Sequence, residues 1–93
     1  IIHLAAVSRV VEGQKNPLLC TEVNVKGTQQ VLDLASRSGL NPWILYSSSR
    51  EVYGHAQKFP VDEESPLAPI NIYGESKFMA EQLVNQYTGY GHP

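Results

Sequence analysis

The spacing of hydrophobic and polar positions changes along the chain, and the changes mark out four elements. Ile1 to Ala5 is a short apolar run broken only by His3, the pattern of a parallel strand covered on both faces. A polar stretch from Ser8 to Asn16 follows. It ends in Asn16-Pro17, an N-cap residue before a proline suited to the first helical position. Beyond it Leu18, Val25 and Leu32 recur every seven residues, and Leu19, Val31, Leu34 and Ala35 widen the stripe. That spacing predicts an amphipathic helix of about five to six turns, Pro17–Ser38, with Gly39 as its C′ residue. Asn41-Pro42 breaks the chain, and Trp43 to Ser48 predicts a second strand. From Arg50 to Ile70 neither period fits: Pro60, Pro66, Pro69 and the acidic cluster Asp62-Glu63-Glu64 read as a long loop, of the kind that is usually functional. A last helix is predicted from near Asn71 to Gly89, carrying Phe78, Met79, Leu83, Val84 and Tyr87. No repeat or low-complexity segment interrupts the pattern.

The order strand, helix, strand, loop, helix predicts an α/β fold, part of a doubly wound parallel sheet. Two strands and two helices cannot cover both faces of such a sheet. The chain also opens directly inside an apolar run, and unfinished sheets leave strand edges unpaired. The expectation is one partial domain over residues 1–93, a piece of a longer protein.

Composition narrows the function classes. Apolar residues make up 42% of the 93 positions, enough for a core. Seven basic against nine acidic side chains leave a formal charge of −2, which excludes a basic nucleic-acid footprint and a polybasic membrane anchor. No run approaches the roughly 18 apolar residues of a membrane span. The single cysteine, Cys20, cannot form an internal disulfide, in keeping with a cytoplasmic protein. One cysteine and scattered histidines (His3, His55, His92) offer no metal-ligand spacing.

The chemistry-bearing residues gather at two places. Tyr73 and Lys77 are four apart at the start of the last helix, so both lie on one helix face. An ammonium beside a phenol favours the phenolate, the way a tyrosine becomes a general acid/base near neutral pH. Ser47-Ser48-Ser49 ends the second strand, and open α/β sheets bind ligands at the carboxyl ends of their strands. The Tyr73 helix begins on that same edge. A hydroxyl, a phenol and an ammonium therefore converge on one crevice.

These segments resemble the extended short-chain dehydrogenase/reductase family, the nucleotide-sugar epimerase/dehydratase group. The resemblance is carried by His3-Leu4-Ala5-Ala6, Asn24-Val25-Lys26-Gly27-Thr28, the run Ser47 to Gly54, Pro60 with Glu63, and Tyr73-Gly74-Glu75-Ser76-Lys77. It spans residues 1 to about 87 and implies a Rossmann-type fold with NAD as cofactor, NADP not excluded. It further implies that Ser49 bonds the sugar hydroxyl and orients the phenol, Tyr73 is the base, and Lys77 lowers the tyrosine pKa and holds the nicotinamide ribose. Leu4, Ala5, Ala6, Ser8 and Ser47 would line the cofactor. Glu51 matches a substrate-binding glutamate of the dehydratases, although Arg50 precedes it where those enzymes usually carry an aspartate or a small polar residue. Val23 departs from a polar position of the family, and Asn24 reads equally well as a helix side chain tying down a neighbouring loop. The family's Gly-rich phosphate-binding turn and C-terminal substrate domain are absent from these 93 residues.

The reaction implied is epimerisation of a nucleotide sugar: hydride leaves a sugar carbon, a keto intermediate forms, and hydride returns to the other face. The alternatives are a dehydratase or decarboxylase of the same group, or an inactive cofactor-binding scaffold. The resemblance and the wide apolar stripes of both helices also imply a homodimer packed through Pro17–Ser38 and Asn71–Thr88.

Overall fold

The computed structural model describes residues 1–89. The elements run β1 (Ile2–His3), α1 (Val10–Lys15), α2 (Pro17–Thr21), a π-helical turn (Glu22–Lys26), α3 (Gly27–Arg37), β2 (Leu45–Tyr46), a 3-10 turn (Arg50–Tyr53) and α4 (Ile72–Gly89). The strands pair in parallel, Ile2 opposite Leu45 and His3 opposite Tyr46. All helices lie in one layer with α4 packed across α1, α2, the π turn and α3. The thinnest dimension is 17 Å, room for a sheet and a single helical layer.

The predicted elements are present with changed bounds. Both strands are two residues long rather than five or six. They are covered on one face only: Ile2 is 63% and Leu45 53% exposed. A third strand and an opposite helical layer, which would lengthen and cover them, are not among the described elements. The stretch read as a polar connection holds α1, a short helix with Gly13 buried. A Cβ at Gly13 would meet Cys20 Sγ and Tyr73 Cβ at 3.2 Å, so glycine lets α1 approach the start of α4.

The long helix forms from Pro17 to Arg37, but in three pieces. Asn16 holds the N-cap position without a side-chain cap bond. The Gly27 N–H reaches back five residues to the Glu22 carbonyl, the widened bond of a π turn, a feature frequent at functional sites. Gly39 follows the last turn at φ +73, as a C′ residue should. The predicted stripe divides. Leu32 and Ala35 bury with Tyr87 in a small core backed by Ile44, Leu83 and Val84, whereas Leu18 and Leu34 are 80% and 65% exposed. The Tyr87 hydroxyl donates to the Pro42 carbonyl at 2.6 Å, tying the end of α4 to the approach of β2. The segment read as loop begins with the 3-10 turn and is otherwise irregular.

Candidate active site at the strand ends

Lys77 is the most confined charge of the structure. Its residue is 4% exposed, and its Nζ donates to the Ser47 carbonyl at 2.9 Å. The ammonium also lies 5.0 Å from the centroid of the Tyr46 ring, an aromatic face that attracts a cation. Burial holds the Lys77 pKa below the usual lysine range, a pull that Cys20 partly opposes. One of the three ammonium donors is thus used by a described residue.

Tyr73 stands one turn earlier on α4, 7% exposed. The helix start is fixed by Asn71, whose Oδ1 accepts from the Gly74 N–H at 2.7 Å. Gly74 is needed there, because a Cβ would fall 2.7 Å from the Glu51 carbonyl. The Tyr73 hydroxyl makes no hydrogen bond to another described residue. Ser49 caps the 3-10 turn: its Oγ accepts from the Glu51 N–H at 3.1 Å, which leaves its own proton to donate. Glu51 Oε1 accepts from Asn71 Nδ2 at 3.5 Å. The 3-10 turn that carries Ser49 and Glu51 is therefore joined to the start of α4, which carries Tyr73. Arg50, Glu51 and Tyr53 also line a cavity of about 440 Å³ with His55 and Phe59.

Behind these groups lies a buried polar network. Asn24, 1% exposed at the middle of the π turn, accepts from the Val7 N–H at 2.8 Å and donates to the Val7 carbonyl at 3.0 Å. Its Nδ2 also reaches Ser76 Oγ at 2.9 Å and Cys20 Sγ at 3.5 Å. Ser76 passes its proton to the Tyr73 carbonyl at 2.7 Å. Asn24 therefore fastens the loop after β1 to the helix that carries Tyr73, which is its loop-tying reading. One turn on, Thr28 gives its hydroxyl proton to the Asn24 carbonyl at 2.7 Å. Its oxygen must then accept from His3 Nε2 at 2.9 Å, and this fixes the His3 proton on Nε2. Burial first, and the Lys77 charge second, lower the His3 pKa. His3 is a neutral, satisfied side chain.

The residues expected at a cofactor are at the same edge. Leu4, Ala5 and Ser8 are exposed at the end of β1, and Ala6 is half-buried. Ser47, also exposed, follows β2 beside them, its N–H donating to the His3 carbonyl at 3.3 Å. Four neighbours of the site have no role assigned from the sequence: Tyr46, Thr28, Ser76 and Cys20. Tyr46 is set opposite His3 by the register of the strand pair, which no sequence pattern marks. A buried serine or threonine inside a helix has no mark either. Among the described residues no cluster of His, Cys, Asp and Glu is placed to hold a metal, and no helix is long and apolar enough to cross a membrane.

A family model described as GDP-mannose 4,6 dehydratase matches residues 1–92. The chain belongs to this family. It is 40% identical over 91 residues to a UDP-glucose 4-epimerase of Rhizobium leguminosarum bv. trifolii, covering 98% of this chain and 28% of that protein. The crystal structure of UDP-glucose 4-epimerase from Brucella ovis, in complex with NAD, superposes with TM-score 0.92 at 35% identity, over 98% of this chain and 28% of that one. DesIV, a dTDP-glucose 4,6-dehydratase from Streptomyces venezuelae solved with NAD, superposes with TM-score 0.90 at 34% identity, over 99% and 29%. The chain thus spans somewhat more than a quarter of the length of these members of the family, and its fold is the corresponding part of their Rossmann-type α/β sheet.

Proposed function

We propose that the chain is the central part of an NAD-dependent nucleotide-sugar epimerase, with Ser49, Tyr73 and Lys77 as its working groups. The observation that carries the reading is the buried Lys77 ammonium, held at the Ser47 carbonyl at the strand ends, in a chain 40% identical to a UDP-glucose 4-epimerase over 91 residues. Residues 1–93 are then a partial dinucleotide-binding domain, its Gly-rich turn and substrate domain lying elsewhere in the whole protein.

The residues present fit a dinucleotide. Leu4 and Ala5, exposed, and Ala6, half-buried, give an apolar strip beside a lysine with donors to spare. Lys77 would hold the ribose; Leu4, Ala5, Ala6, Ser8 and Ser47 would line the ring. What NAD supplies when bound is acceptance and return of a hydride at a sugar carbon; NADP suits the same strip. The chain's own groups do the proton work. Tyr73 takes the proton of a sugar hydroxyl, with Lys77 one turn further along the same helix. Ser49, its acceptor side occupied by the Glu51 N–H, donates to the substrate oxygen and orients it.

A dehydratase is the second reading, favoured by Glu51, whose carboxylate is steadied by Asn71 and borders the 440 Å³ cavity. Incubating the whole protein with UDP-glucose separates the two. Appearance of UDP-galactose supports the epimerase, whereas a 4-keto-6-deoxy sugar that absorbs in alkali selects the dehydratase. Neither product from any UDP-, dTDP- or GDP-hexose would remove both and leave the inactive scaffold. We further assign the protein to the cytoplasm, in line with its single, buried free thiol. A homodimer is supported by the exposed Leu18, Leu19, Leu34 and Met79 of α2, α3 and α4. Leu83, by contrast, packs on its own core, so Leu34→Glu is the substitution expected to yield monomers in light scattering.

A further inference from the structure

We propose that Tyr46 is a positioning residue for Lys77, its ring face holding the buried ammonium against the Ser47 carbonyl. The proposal rests on the reading of Lys77 as the cation beside Tyr73. A lysine that is 4% exposed has exchanged its water for whatever surrounds it. Here that is one carbonyl at 2.9 Å and one aromatic ring at 5.0 Å, and a cation–ring contact strengthens when both are desolvated. The other groups around Lys77 are Cys20 from α2, His3 from β1, and Tyr73 and Glu81 one turn to either side on α4. Neutral His3 contributes no charge. It braces the ring instead, centroid to centroid 5.8 Å at 40°, and is itself pinned by Thr28.

The hydroxyl of Tyr46 is not what holds the ring there. It is buried and has no hydrogen-bond partner among the described residues, as is the case for Ser48 Oγ and Glu81 Oε2 beside it along a cleft with Val84 and Asn85. Burial and the Glu81 carboxylate keep the phenol well above its ordinary pKa, so it stays neutral. The working part of Tyr46 is therefore its ring, and phenylalanine should replace it.

The test follows the Lys77 titration in the whole protein, by NMR of labelled lysine, together with the pH dependence of turnover. Tyr46→Phe should match the wild type in both. Tyr46→Leu should lower the Lys77 midpoint by about one pH unit, a tenfold change, and raise the half-maximal pH of turnover by a similar amount. A wild-type titration in Tyr46→Leu, or an equal shift in Tyr46→Phe, would overturn the proposal. If Tyr46→Leu does not fold, fluorinated phenylalanines at position 46 weaken the ring's negative face at nearly constant shape. The Lys77 midpoint should then fall stepwise with fluorination, and a constant midpoint overturns the proposal. Failure of the underlying reading is distinguishable: Tyr73→Phe would stay active while the Lys77 titration still responded to position 46.

Discussion

On one face of the strand pair, His3 and Tyr46 stand opposite each other beneath the helices, His3 only 8% exposed; on the other, the partners Ile2 and Leu45 are 63% and 53% exposed. The covered face is polar and the open face apolar, the reverse of the usual arrangement. The largest fully buried side chains are Asn24, Thr28, Cys20 and Ser76. An interior selected for stability alone would hold leucine and valine there, because burying polar groups costs free energy unless every one is paired. The helical layer spends its burial on holding a polar site. The open face, apolar as a doubly wound sheet requires, is where stability of the ordinary kind would be recovered in the whole protein.

If the covered face is a working site, removing its reactive group should be the most damaging change of all. Tyr73→Phe keeps the ring but loses the transferable proton, and turnover should fall roughly 10²- to 10⁴-fold with cofactor affinity retained. Wild-type turnover in that variant would reduce the covered face to scaffolding. Next comes the network behind it. Asn24→Ala strands the Val7 N–H and carbonyl, and should cost roughly 3 kcal/mol in denaturant unfolding. A loss below about 1 kcal/mol would mean that water replaces the amide and that the network is not closed. The smallest effect concerns pH. The folded His3 pKa lies below the ordinary 6.5, so below that pH the unfolded chain binds more protons than the folded one. Stability present above pH 6.5 should therefore decline as pH falls through 6.5 toward the folded pKa. His3→Leu should remove that part of the acid dependence; an unchanged slope would show that His3 does not titrate as a buried group.

The two faces were also unequally legible in the sequence. The short run Ile1 to Ala5, the segment Trp43 to Ser48, the seven-residue recurrence of Leu18, Val25 and Leu32, and the apolar positions from Phe78 to Tyr87 report buried elements, and so they outlined both strands, the long helix and α4. They could not report the π turn, because apolar periodicity is silent about the polar Asn24 and about Thr28, around which three elements close. Helix α1 was hidden for a related reason. Six residues with glycine in the middle make a poor helix in isolation, and this one exists because Gly13 packs on Tyr73. At the site, Tyr73, Lys77, Ser49 and Glu51 were readable from spacing and resemblance. Tyr46, which touches Lys77, was not, since a tyrosine in a strand is unremarkable without knowledge of what lies over its ring.

The claim that the covered face trades stability for chemistry is tested most directly by measuring both quantities on one variant, Lys77→Met, in the whole protein. Burial depresses the Lys77 pKa, so between the folded pKa and the ordinary 10.5 the unfolded chain binds the extra proton, and below that window the folded state carries the full penalty of a desolvated ammonium. Methionine removes the charge at similar length. The account predicts that turnover is lost while stability at neutral pH rises by about 1 kcal/mol. A variant that keeps its turnover, or that loses both turnover and stability, would contradict it.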